Sequence, residues 1–353
     1  MRSARQLLGA ASLVASTLLL AAPAHAGVGG TSGGNTYGAK VEVHLSGDVS
    51  PALVGSVPGP PPMCWWEPYD TTMLDSNKVD PSDPEAVEKY YNEEVRPYLT
   101  GHAAVGQLAN PDSDYFKSII KQVAAGKDMT FYTMRTREGA VSAKPGSKAY
   151  DQQVSTVADA CGAPTVNGPY GLVAVGLQAF ETGQQPPPAV DPTDLAEYAY
   201  EVMLLKKPGL EWNPHLAADR DATLVNLPTW LWTRDPEAVE QRQVTAEAAG
   251  ISVTVTAEPD GMTVSSPVGG TDCSAKQART AYAQGVPEAS ACVFTFDRGS
   301  FAYAGGFPVE SVTGWQATWT SNVGEGGELE PKTMDATTTI PVIEVQSRVD
   351  ATS

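Results

Sequence analysis

The chain has 353 residues, with 41 Asp and Glu against 23 Lys and Arg, 33 Gly, 28 Pro, 4 Cys and 4 His. At 42% apolar and 18% charged it can bury a core, which excludes a collagenous or wholly disordered polymer, while the Gly and Pro content implies many loops. A formal charge of −18 speaks against nucleic acid and anionic membrane as partners, because both require a basic footprint.

Residues 1–26 read as a secretory signal peptide. Arg2 and Arg5 supply the positive start, Leu7 to Leu20 the apolar stretch, and Ala24-His25-Ala26 a small-x-small site for cleavage between Ala26 and Gly27. No later window holds the roughly 18 apolar residues of a membrane helix. The expectation is a secreted protein, extracellular or cell-wall associated, with no membrane insertion after processing. Residues 27–62 form a Gly/Pro-rich leader ending in Pro58-Gly59-Pro60-Pro61-Pro62 and are expected to be disordered. Within it, Ala39 to Leu45 alternates in polarity and could add a strand to a sheet.

Residues 64–235 read as a small α+β domain. Ser82-Asp83-Pro84-Glu85 caps a helix through Val87, Tyr90, Tyr91 and Val95, which Pro97 and Gly101 stop. A second helix starts near Asn110-Pro111, aligns Phe116, Ile119, Ile120 and Val123, and ends at Gly126. Thr130 to Met134 is a strand; residues 139–160 are weakly patterned; Tyr170 to Phe180 is expected to be another strand. After the Pro-rich 184–188, Asp191-Pro192-Thr193-Asp194 caps a helix carrying Leu195, Tyr198, Ala199, Val202 and Leu205, ended by Pro208-Gly209. That helix is assigned to the α+β domain.

Residues 241–350 change to period two. Ile251, Val253 and Val255 alternate with polar neighbours, as do Trp315, Ala317 and Trp319, and Asp260-Gly261, Gly269-Gly270, Gly305-Gly306 and Gly324 to Gly327 mark turns. The pattern predicts an all-β, immunoglobulin/PKD-like antiparallel sandwich able to fold from residues 241–353 alone. In an oxidising compartment the four cysteines should form two disulfides. Cys64–Cys161 and Cys273–Cys292 is the favoured pairing, because each then closes within one domain.

Three stretches resemble a family of secreted actinobacterial proteins of unknown activity, some bearing automatic labels such as ATP/GTP-binding protein or enoyl reductase. They are Cys64-Trp65-Trp66-Glu67-Pro68, the block from Asp194-Leu195-Ala196 through Trp212-Asn213-Pro214 to Pro228-Thr229-Trp230-Leu231-Trp232, and Ile340-Pro341-Val342-Ile343-Glu344-Val345-Gln346-Ser347. The resemblance implies a PKD or immunoglobulin-like C-terminal part, although the W-x-F-G-D-G stretch of PKD modules has only Asp260-Gly261-Met262 in its place. The labels find no support in the residues. Gly126-Lys127 lacks the first Gly and the hydroxyl of a phosphate-cradling loop, so no nucleotide partner is expected, and no dinucleotide fingerprint follows a strand.

His44, His102 and His215 of the processed chain have no metal-ligand spacing, so no metal and no cofactor are expected. No G-x-S-x-G elbow occurs. Two acids across a cleft would suffice for a glycosidase, and Glu93, Glu94, Asp112 and Asp114 stand near the N-terminal helices, but first-turn and surface acids ordinarily serve solubility. Asp75-Ser76-Asn77 and Asp80 suggest a capped turn more than a calcium loop. Trp230 and Trp232 flank Leu231, so on a strand both indoles share a face, a geometry that stacks sugars or anchors a protein. This pair is the candidate binding patch. Trp65 and Trp66 are expected to shield a disulfide, and Trp315 and Trp319 to fill the sandwich core. The functional expectation is a non-catalytic binding or cell-surface accessory protein whose partner is a protein or glycan. A carboxylate-dependent hydrolase and a structural subunit of an extracellular assembly are the alternatives.

Overall fold

A computed structural model describes residues 41–74, 80, 83–90, 92–93, 114–216 and 221–345. The chain enters through β1 (Glu42–Gly47) and β2 (Gly55–Pro58), antiparallel neighbours in an eight-stranded sheet. Val43 and Leu45 of β1 are fully buried while Glu42 and His44 face solvent. The leader expected to be disordered through residue 62 therefore contributes two strands, and the alternation in Val41 to Leu45 drives this by supplying one continuous apolar face. Asp48, in the turn beyond β1, accepts from the backbone of Gln243 at 2.7 Å and pairs with the buried guanidinium of Arg242 at 2.9 Å.

An α+β unit interrupts the sheet at this point. It comprises β3 (Cys64–Leu74), α1 (Pro84–Tyr90), α2 (Asp114–Ala124), β4 (Met129–Thr136), α3 (Lys148–Ala160), β5 (Thr165–Gly168), β6 (Gly171–Ala174) and β7 (Leu177–Glu181). The antiparallel sheet β3-β4-β7 has helices on both faces: Met129 and Phe131 pack against Val87, Ile119 and Val123, whereas Trp66 and Tyr132 pack beside Ala158. Asp83 caps α1, accepting from Glu85 and Ala86. The stretch expected as one strand from Tyr170 to Phe180 is two, β6 and β7. Gly171, at φ +114, completes a tight turn from β5 into β6, and Gly176 separates β6 from β7. The weakly patterned region holds α3, capped by Ser147 accepting from Tyr150.

Entry to and exit from this unit lie side by side. The Met63 N–H donates to Ala189 O at 2.8 Å and the Ala189 N–H to Cys64 O at 2.9 Å. Just inside, Cys64 is bonded to Cys161, and Trp66 Nε1 donates to Cys161 O at 2.8 Å, covering the disulfide. Arg137 of the unit pairs with Asp194 beyond the exit at 2.5 Å.

The chain then resumes the first sheet. Helix α4 (Pro192–Val202), capped by Asp191, lays Leu195, Ala196, Ala199 and Tyr200 on β11 (Arg242–Ala248), β12 (Ile251–Pro259) and β16 (Phe307–Ser321), where Val253, Val255, Trp315 and Trp319 meet it. Strands β8 (Leu210–Asn213), β9 (Thr223–Leu224), β10 (Pro228–Thr233), β13 (Met262–Ser266), β14 (Gly269–Cys273), β15 (Cys292–Thr295), β17 (Gly326–Ile340) and β18 (Val342–Ile343), with the short α5 (Ala275–Ala278), complete the fold. The small sheet β8-β10-β15 packs on β13, β14 and the adjoining halves of β16 and β17, burying Leu210, Leu231, Met262, Val264, Phe296, Phe307 and Val309. The Cys273–Cys292 disulfide joins the two sheets across this core. Large antiparallel sheets thus dominate, but sheet-on-sheet packing covers only one half of the main sheet. Helix α4 covers the other.

The expected boundary at 235/241 does not divide the packing. Residues 41–58 and 190–240 supply strands and a helix to the same cores as residues 241–345. Long strands weld these cores together. β12 and β13 run along β16 as one strand with one extra residue at Asp260-Gly261, where Gly261 (φ +122) approaches Cys273 O too closely for a side chain.

Candidate functional site

Strand β10 alternates strictly. Thr229, Leu231 and Thr233 face the core and are buried, so Trp230 and Trp232 share the outer face of the small sheet. Pairing fixes their neighbours: Trp230 stands between Asn213 of β8 and Val293 of β15, and Trp232 beside Glu211.

The two indoles differ in exposure. Trp230 is only 7% exposed, because α5 and the following loop fold over it and Tyr282 meets its ring edge-on at 5.3 Å. Tyr282 itself is 48% exposed. Trp232 is half-buried. Arg234, next on the same alternation, donates from Nε to Glu211 Oε1 at 2.6 Å, so an exposed ion pair borders Trp232. The result is an aromatic row, Trp232, Trp230 and Tyr282, edged by a guanidinium, a carboxylate and the Asn213 amide. Such a surface can cover an apolar ligand face while planar polar groups bond its rim. The chain's own α5 loop covers Trp230.

Below this face, Cys292 is directly opposite Leu231 and its disulfide holds β15. The hydroxyls of Thr223 and Thr229 are 2.7 Å apart and brace the start of β10. Sequence reasoning nominated the two tryptophans but missed Tyr282, Glu211, Asn213 and Arg234. Arg234 continues the 230, 232 spacing and was accessible to the same argument. Tyr282 sits in a loop with no periodicity, and Glu211 and Asn213 arrive only through strand pairing.

The other sequence candidates are scattered. His44 lies on the solvent face of β1; His215 contacts the Trp212 ring at 4.9 Å and stands 3.5 Å from Asp221. Glu93 and Asp114 are exposed. Ala26, Gly27, Asp75, Ser76, Asn77, Glu94, His102 and Asp112 lie outside the described residues. Among the described residues there is no group of three or more His, Cys, Asp or Glu poised around a metal, and no helix long and apolar enough to cross a membrane. Trp315 and Trp319 are core residues beneath α4. No family model, curated protein or solved structure matches the chain.

Proposed function

We propose that the protein is a secreted, non-catalytic binding or cell-surface accessory protein and that it engages a protein or glycan through the outer face of β10. The observation that carries this reading is Trp232, half-buried beside the Trp230–Tyr282 pair and bordered by the Glu211–Arg234 ion pair. Aromatic and arginine side chains concentrate binding energy when they stand together at a surface. Two disulfides favour an oxidising compartment. That supports the export signal read from Arg2 to Ala26, and with it the resemblance to exported actinobacterial proteins. An immunoglobulin- or PKD-like origin of the sandwich half belongs to the same reading, supported by the packing of β8-β10-β15 on the main sheet.

The test is retention of the purified protein on cell-wall material and on cell-surface protein extracts. Trp232→Ala should lower retention by roughly tenfold or more without altering the far-UV circular dichroism. Unchanged retention would remove β10 as the binding face.

A further inference from the structure

Strands β5 and β6 pair only with each other among the described residues, with Pro169 and Tyr170 forming the turn between Gly168 and Gly171. Residues 165–174 contain no charged side chain, in a chain that is 18% charged. Tyr170 is 77% exposed, Val173 41% and Val166 40%, and the two valines are directly opposite each other.

The two edges of this hairpin differ. The Leu172 N–H points away from β5 and donates to Asp151 Oδ1 on α3 at 2.7 Å, so α3 closes the β6 edge. Leu172 is opposite Asn167, which makes that pair the non-hydrogen-bonded kind and leaves Val166–Val173 and Gly168–Gly171 as the bonded ones. The backbone N–H and C=O of Asn167 therefore point out of the β5 edge, and by the same alternation so do those of Thr165. Thr165, Val166 and Asn167 are all exposed. Sheet edges are ordinarily blunted by a charge, a proline or a covering element; Thr165–Gly168 contains no charge and no proline, and no element among the described residues pairs with its outer edge.

We propose that this edge is a self-association surface, at which β5 pairs antiparallel with β5 of a second copy about a two-fold axis through Val166. The alternation fixes the register. Outward groups must meet outward groups, so Thr165 exchanges both backbone bonds with the partner's Asn167, and Asn167 with the partner's Thr165. Val166 then faces the partner's Val166 at a non-hydrogen-bonded position, where Cα atoms lie about 4.5 Å apart and side chains touch. The four-stranded sheet carries an unbroken apolar row: Val173, Val166, the partner's Val166 and the partner's Val173. A second copy is the fitting occupant because the edge is self-complementary in register and uncharged. Two chains of charge −18 can meet along this strand without setting acid against acid. The long-range repulsion between copies should be relieved by salt. The hairpin is small beside the roughly 800 Å² per partner of a stable interface, so the dimer is reversible.

Sedimentation velocity on the full chain in about 0.5 M salt, where screening is strong, should show a concentration-dependent shift from monomer to dimer. Val166→Lys, placing like charges opposite each other, should weaken that shift by roughly tenfold. Because lysine could also disturb the hairpin, a second variant reads proximity directly. Val166→Cys should give a disulfide-linked dimer under mild oxidation, since about 4.5 Å between Cα atoms is within bridging range. Val173→Cys, three strand spacings or roughly 14 Å from its counterpart, should not. As a control, peptide mapping should find Cys64–Cys161 and Cys273–Cys292 still paired in both variants. Wild-type protein that stays monomeric and yields no Val166→Cys dimer overturns the proposal, as does a dimer indifferent to Val166→Lys or equal cross-linking at 166 and 173.

Discussion

Residues 241–353 expressed alone should fail to fold, even in an oxidising medium with Cys273–Cys292 formed. That fragment lacks α4 and the strands β1, β8 and β10. With them go Val43, Leu45, Leu195, Leu210 and Leu231, each fully buried in one of the two cores. At roughly 1.5–3 kcal/mol for each large apolar side chain removed from water, their loss costs on the order of 10 kcal/mol, before counting Val253, Val255 and Trp315, which α4 would leave uncovered. Whole-domain stabilities are about 5–15 kcal/mol, so the fragment has nothing left to hold it. A chain in which residue 62 is joined to residue 190 through two glycines retains both cores and should melt cooperatively. Far-UV circular dichroism with thermal melts on the two proteins decides the matter. A cooperative transition for residues 241–353 alone would refute the reasoning and show that the β strands after 241 are self-sufficient.

Replacing Cys273 and Cys292 by Ser opens a loop with a sequence separation of 19 and should cost about 3 kcal/mol, lowering Tm by roughly 6–12 °C in calorimetry; an unchanged Tm would mean that packing alone holds β15 to β14. Burial pushes the phenols of Tyr115 and Tyr200 above the usual 10.0, and burial with the charge of Glu201 does the same at Tyr198. A raised phenol pKa stabilises the native state fully below pH 10, and that contribution is lost as pH climbs past it. Burial lowers the Lys332 ammonium, which acts in the opposite sense as pH rises, but three phenols oppose one amine. The urea midpoint should therefore fall between about pH 9 and pH 11, and a rising midpoint would contradict this.

Local chemistry made several elements legible. Asp83-Pro84 and Asp191-Pro192 each place a cap before a helix-compatible proline, and both helices form there. The alternation around Val253 and Trp315 marks strands, and the spacing of Trp230 and Trp232 puts both on one face. Helix α3 was hidden because its buried positions, Val154, Val157 and Ala158, are small and surrounded by Gln, Ser and Thr, so the apolar stripe is faint. The boundary near 235 followed the change from helical to two-residue period. That change records local conformation, whereas the cores are assembled by contacts such as Leu45 with Ala246 and Leu231 with Cys292, distant in the chain. The same limitation concealed Tyr282, which reaches Trp230 only after α5 has turned the chain back over β10.

The neighbouring positions of Met63 and Ala189 set the order in which the molecule can be built. Strand β1 is separated from its partner β11 by the whole inserted unit, yet pairs with it so that His44 is opposite Glu247. Once the chain is in an oxidising compartment, the α+β unit can complete its own sheet and close Cys64–Cys161, which shortens the gap for β1 from a long diffusing loop to a pinched stem. Early closure of that stem would make the inserted unit a chaperone in cis for the sheet that surrounds it, and slow oxidation would expose Val41, Val43 and Leu45 to aggregation for as long as the stem stayed open.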